Sequence, residues 1–261
     1  MSQTYRTTGI NLKSMALGEH DRLLTILTKE RGLVKAVAPG ARKHRSSMAG
    51  RSGLFVVNDL LIASGRSMDR ITQAETVQSF VGLGQNLAKL TAAQYLAELA
   101  LFQALVDHPQ EELFLLLTEH LLRLQQVNGV KHILACLNHG TYHLLAIAGV
   151  APQVHSCCLS QQPITLAPEY SKWQAGFSIA GGGVVDLQAK PDLGDAKIGH
   201  FLTTTELVAL QELAQMDLSA DIFNIHVSVW LTVERLLRAY AQYHFDRPIQ
   251  SAALIDSCFN L

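Results

Sequence analysis

The spacing of apolar residues changes once along this chain, near Phe80, and that change sets the architecture. Before it, runs rich in β-branched and aliphatic residues (Leu23–Thr28, Leu33–Ala38, Leu54–Ala63, Ile71–Gln78) alternate with the turn signals Glu30-Arg31-Gly32, Pro39-Gly40 and Ser64-Gly65-Arg66-Ser67. Such runs read as strands, because branched side chains suit a pleated, half-buried surface and Gly and Pro punctuate it. A run from Tyr5 to about Ser14 adds a fifth. Five short antiparallel strands in so short a region suit a small closed barrel, either the five-stranded OB-fold or an SH3-like barrel.

Beyond Phe80 the period is helical. Leu87, Leu90, Ala93, Leu96, Ala100, Leu101 and Ala104 predict a helix from about Asn86 to Val106. Pro109 with acidic Glu111 and Glu112 opens a second, which stops at Asn128-Gly129. A third covers Val130–Ala148. Thr203-Thr204-Thr205-Glu206 has capping-box spacing and opens a helix to about Met216. The last long helix begins near Ser219, carries Ile222, Ile225, Val229, Val233, Leu236 and Tyr240 on one face, and stops before Pro248. The expected class is α+β and multidomain: a barrel over 1–80, then an all-helical domain over 81–261 interrupted by an irregular insert at 151–200.

Charge divides at the same place. Residues 1–80 hold twelve Lys and Arg against six acids, a balance of +6, whereas 81–261 hold nine against sixteen, a balance of −7. Between Arg31 and Asn58 no acid occurs, and Arg31, Lys35, Arg42, Lys43, Arg45 and Arg51 stand among small residues. Such a segment attracts polyanions over about 8 Å at physiological salt. The candidate nucleic-acid-binding residues are Lys35, Arg42, Lys43, Arg45, Arg51, Arg66 and Arg70. Arg22, close to Glu19 and Asp21, suits a structural ion pair as well as a DNA contact. Only Tyr5, Phe55 and Phe80 are aromatic in this region, and the two phenylalanines fit the core, so phosphate contacts are expected to outweigh base stacking. The competing reading is a protein-interaction scaffold that does not bind DNA and uses its helical domain as the platform.

The longest stretch without Lys, Arg, Asp or Glu, His132–Pro168, carries too many His, Asn, Gln, Ser and Pro residues to span lipid, and Met1–Lys13 lacks the apolar run of a secretory signal. Four cysteines, two of them adjacent, make no disulfide framework in 261 residues. A cytoplasmic protein with no membrane partner is expected.

The runs Gly18-Glu19-His20-Asp21-Arg22-Leu23-Leu24-Thr25, Leu27-Thr28-Lys29-Glu30-Arg31-Gly32 and Ala36-Val37-Ala38-Pro39-Gly40-Ala41-Arg42-Lys43 resemble the N-terminal domain of the RecO family of DNA repair proteins. So do Gly65-Arg66, Ile71-Thr72-Gln73-Ala74-Glu75 and Phe80, with a weaker likeness at Leu236-Leu237-Arg238-Ala239-Tyr240. The resemblance implies an OB-fold followed by a helical domain with a zinc-finger-like insert. It implies a recombination mediator rather than an enzyme. Such a protein binds single- and double-stranded DNA, anneals complementary strands, and works with RecR and the single-strand binding protein SSB to load RecA.

Members with a metal site carry two Cys-x-x-Cys pairs, four thiolates being the usual set around a tetrahedral structural zinc. Here Cys157 keeps the first position, Ser160 fills the second, and the later pair falls near Asp186 and Ala189. The zinc site is degenerate and no cofactor is expected; Trp173, Phe177 and Tyr170 are the residues to hold the insert by packing. His139 and His143 lie four apart on one predicted helix but lack the neighbouring Glu of a zinc hydrolase, and they read as core or surface histidines. Gly181-Gly182-Gly183 reads as a turn rather than a phosphate cradle, and Gly82-Leu83-Gly84 does not continue into a dinucleotide motif. Family members receive the acidic tail of SSB near arginines that Asn138, His139, Gly140 and Thr141 replace here, which would move that contact toward Lys131, Arg235, Arg238 and Arg247.

Overall fold

The structure is a computed structural model describing residues 4–166, 173–187 and 197–259. The chain forms two compact units, one of Met1–Leu90 with Ala100–Gln125 and the other of Thr91–Leu99 with Gln126–Leu261.

In the first unit, strands β1 (Thr4–Leu17), β2 (Asp21–Thr28), β3 (Gly32–Ala38), β4 (Val56–Ala63) and β5 (Asp69–Ser79) close into a barrel of order β1-β2-β3-β5-β4. β1 is long enough to pair twice, with β4 over Thr4–Ile10 and with β2 over Gly9–Leu17, which is how so few strands close. Leu24, Ile26, Ala36, Ala38, Leu60, Ile62 and Ile71 fill the interior at every second position. One pairing departs from the all-antiparallel expectation. β3 meets β5 in parallel, Ala36 against Asp69 and Val37 against Arg70, because the connection after β3 crosses the barrel before β4 begins.

That connection is not the flexible loop its glycines and serines suggest. It contains a short helix, α1 (Ser47–Arg51), capped by the Ser46 side chain. Asn11 Nδ2 donates to the carbonyls of Arg51 and Gly53 at 2.8 and 2.9 Å, and Asn58 Nδ2 donates to Arg51 O at 2.9 Å. Both asparagines are fully buried, so these amides hold the connection where water cannot compete.

Helix α2 (Leu87–Gln103) follows, then α3 (Glu111–Gln126), whose first turn carries the two acids. The segment between them docks on the barrel: Leu33 N donates to Leu105 O at 2.8 Å, Gln110 N to Lys29 O at 2.7 Å, and Lys29 Nζ lies 3.7 Å from Glu111. Gly32 permits this approach. Its φ is +63°, and a Cβ there would stand 2.1 Å from Leu105 O and 2.5 Å from His108 O.

In the second unit α4 (Val130–Ile147) packs on α6 (Val227–Phe245), with Asn138 Nδ2 donating to Trp230 O at 2.9 Å inside the interface. α5 (Thr204–Glu212) carries the capping box of Thr203 and Glu206 but ends before Met216. The helix expected from Ser219 is broken: Ala220–Asn224 form a 3-10 turn, Ile225 and His226 are extended, and His226 accepts from Ser228 N to start α6 afresh. A last helix, α7 (Ala252–Phe259), lies beyond Pro248, where no helix is expected. Outside the insert expected at 151–200 the described elements of the second region are helical, and the insert itself, expected to be irregular, holds short strands, the last running on to Thr203. β6 (Gln174–Ser178), β7 (Gly183–Val185) and β8 (His200–Thr203) make an antiparallel sheet of order β7-β6-β8, too short for an alternation signal to mark. Among the described residues, no helix is long and apolar enough to cross a membrane.

Gly32→Ala should therefore lower stability by about 3 kcal/mol, combining left-handed strain with a steric clash. A urea midpoint equal to wild type would show that the segment after α2 does not need this close approach.

Candidate nucleic-acid interface

Pairing register decides which bases share a surface. In the barrel wall Ala36 and Ala38 point inward, so Lys35 and Val37 point outward, and Arg70, paired with Val37, joins them. The turn from β1 to β2, the exit of β3 and the entry of β5 lie at one end of this wall, since Arg22 pairs with Ala38 and Val37 with Arg70. The turn after β3 is bound to the first of these. Gly40 N donates to Asp21 Oδ1 at 2.7 Å, Arg42 N to His20 O at 2.8 Å, and Arg42 Nη1 to Gly18 O at 2.6 Å. Arg42, Lys43 and Arg45 are exposed on that turn, and Arg66 is exposed on the turn leading to Arg70. Arg42, Lys43, Arg66 and Arg70 thus lie toward one end of the barrel wall, with Lys35 two positions back along β3 from Val37 and Arg45 exposed on the turn that follows β3.

Arg51 does not join them. It is half-buried and lines a groove of about 810 Å³ with Arg6, Glu30, Asp59 and Glu75, where carboxylates outnumber guanidinium groups. Arg22 turns to the inner side. Its guanidinium reaches Ser52 O and Oγ at 3.4 and 3.2 Å instead of pairing with Glu19 or Asp21. Lys13 is the residue that sequence reasoning misses. A register shift between Asn11 and Lys13 puts Asn11 opposite Ile26 and Lys13 opposite Thr25, which itself pairs with Lys35. Lys13 and Lys35 therefore flank Thr25 on the outer face. Only a bulge, invisible in periodicity, produces this.

Among the described residues of the barrel, no Phe or Tyr ring is presented for stacking. Phe55 and Phe80 are buried, the Tyr5 hydroxyl donates to Asp69 Oδ2 at 2.6 Å, and the Arg31 guanidinium covers the Tyr5 ring at 4.3 Å. Burial together with that bond pushes the Tyr5 phenol above its ordinary range.

The described residues of the insert do not fit a zinc ion. Cys157 is buried, which pushes its thiol up, but the Ser160 side chain and the backbone groups of Ser160 (N to Sγ 3.5 Å), Asp186 and Leu159 together outweigh burial and hold it below its ordinary value. Ser160 and Asp186 supply no second thiolate, Ala189 lies outside the described residues, and Cys158 faces the Gly181 turn. Trp173 and Phe177 are buried, Phe177 edge-on to Tyr240 at 5.8 Å, while Tyr170 lies outside the described residues. Gly181 N and Gly182 N are used by Ser178 in the β6–β7 turn, which leaves no cradle for phosphate. His139 and His143 both reach Gln215 O at 2.9 Å, satisfying a carbonyl just past α5.

Asn138, His139, Gly140 and Thr141 are buried and offer a peptide no surface. Of the proposed replacements, Lys131 opens α4, Arg235 is exposed on α6 and Arg247 follows its end. Arg238 is consumed by the fold: Nε donates to Glu234, and Nη1 and Nη2 donate to Asp256 at 2.8 Å. Glu234 is 2% exposed; burial pushes its carboxyl up, while Arg238 holds that of Asp256 down.

The strand order, with a helix between β3 and β4, defines an OB-type barrel protein with a helical extension. Residues 1–80 match the family described as Recombination protein O N terminal, and residues 84–253 match Recombination protein O C terminal. The chain belongs to the RecO family. It is 47% identical to the DNA repair protein RecO of Nostoc sp. over 99% of this chain and 97% of that one. Identity is 50% to that of Gloeothece citriformis, over 98% of each, and 48% to that of Gloeobacter violaceus, over 98% and 94%. These relatives support a role in DNA repair and recombination.

Arg238→Ala should cost about 3 kcal/mol at neutral pH by leaving Glu234 buried without its partner. Asp256, lowered from 3.8, contributes fully above that value and loses its share as pH falls through its lower folded value, so the deficit should narrow in acid. Urea titrations from pH 7 to pH 3 check this; a deficit independent of pH would exclude the ion network as its origin.

Proposed function

We propose that this chain is a recombination mediator that binds single- and double-stranded DNA without sequence preference, anneals complementary strands, and helps load RecA together with RecR and SSB. It acts by binding, without catalysis, in the cytoplasm. The observation that carries the reading is that Lys35 and Arg70 share the outer face of the barrel wall, with Arg42, Lys43, Arg45 and Arg66 exposed on the turns that adjoin it. Their charges meet a phosphate backbone of any sequence. With no Phe or Tyr ring presented among the described residues of the barrel, most of the affinity falls to the phosphates and no base is held by stacking on such a ring, so bases can leave to pair, as annealing requires. The family resemblance supports the named partners; for the SSB tail, Lys131, Arg235 and Arg247 are the remaining candidates in the helical region.

Affinity for either form of DNA should fall roughly a hundredfold or more between 50 and 200 mM salt if about five phosphates are neutralised. Arg42→Glu/Lys43→Glu/Arg45→Glu should reduce both binding and strand annealing at least about tenfold. Fluorescence anisotropy and an annealing assay read these effects. Affinity flat in salt and untouched by the triple variant would favour the interaction scaffold instead.

A further inference from the structure

The barrel wall that carries Lys35 and Arg70 also carries a partly exposed aliphatic row. Met15 pairs with Leu23, Leu23 with Val37, and Val37 with Arg70, so these side chains cross four adjacent strands on the outer face. Met15 is 62% exposed and Leu23 and Val37 are half-buried. Two positions along each strand, Lys13, Thr25 and Lys35 make the parallel row, about 7 Å away. At the other end of β1 and β2 the outward aliphatic residues are covered, whereas Val77 on β5 is 59% exposed. Ile10 and Leu27 are fully buried, and Leu33, paired with Leu27, bonds through its amide to the segment after α2. The fold buries Ile10 and Leu27 and leaves Met15 open beside the cations, with Leu23 and Val37 half-covered next to it.

We infer that the row of Met15, Leu23 and Val37 receives the bases of single-stranded DNA while Lys13, Lys35 and Arg70 hold its phosphates. The inference rests on the DNA-binding reading above and deepens it. Charge complementarity selects the occupant. The carboxylates nearest in sequence, Asp21 and Asp69, accept from Gly40 N, from the Tyr5 hydroxyl and, at 3.3 Å, from Gly65 N; they keep their charge, and Lys13, Lys35 and Arg70 outnumber them. A strand laid between the two rows gains phosphate contacts on one side and buries apolar base surface on the other. A duplex presents its phosphates equally well but keeps its base faces stacked inside, so the aliphatic row adds affinity for single strands alone. Without a ring in that row, a base is held weakly enough to leave for a complementary strand.

The test compares three ligands of matched length on the full chain: oligothymidylate, an abasic oligomer with the same phosphates, and a duplex. Wild type should bind oligothymidylate about tenfold tighter than the abasic strand, the effect of burying about 60 Å² of apolar surface. Met15→Ser/Val37→Thr should abolish most of that preference while leaving abasic and duplex affinities unchanged. Lys35→Gln/Arg70→Gln should weaken all three. Equal binding of base-bearing and abasic strands by wild type, or a preference that survives Met15→Ser/Val37→Thr, overturns the aliphatic row and leaves the phosphate reading standing. Indifference of all three ligands to Lys35→Gln/Arg70→Gln overturns both.

Discussion

The one-residue register shift between Asn11 and Lys13 decides what β1 gives to each side of the barrel. Side chains alternate across a strand, so an unshifted β1 would carry Lys13 on the inner side with Asn11. With the shift, Asn11 stays inside and grips the carbonyls of Arg51 and Gly53, while Lys13 and Met15 turn outward beside Lys35 and Val37. The same irregularity therefore anchors the connection after β3 and completes the outer wall. The closed barrel transmits the choice. Each strand is hydrogen-bonded on both sides, and its neighbours' faces follow from its own.

The helical region relies on a different device. Glu234 is buried on α6 and tolerable there only because Arg238, one turn on, neutralises it while also holding Asp256 of α7. This network ties the last helix to α6 with charges that a reading of α6 as a basic patch would send to a partner. In the insert, Cys157 is held by donors from Ser160, Asp186 and Leu159, and Trp173 and Phe177 are buried, a solution open to a segment that already forms a sheet.

Much of this was legible in the residues. The switch of period at Phe80, the five strand runs and the capping box at Thr203 all report local preferences that the packed chain retains. What escaped reading depends on interactions distant in sequence. The helix at Ser47 is held by amides of Asn11 and Asn58, the capture of Arg238 needs Asp256 eighteen residues away, and the separation of Arg51 from the other cations needs the barrel to be closed. Lys13 was hidden because a bulge leaves no periodic trace, and the parallel pairing of β3 with β5 because turn signals do not show where a strand returns.

Hydrogen exchange of the full chain with and without single-stranded DNA tests the central claim most directly, because it locates the bound strand without altering a residue. Slowed exchange across residues 13–45 and 64–70, with α5 and α6 unchanged, is the predicted result. Protection confined to the helical region, with the barrel wall exchanging as in the free protein, would contradict the account.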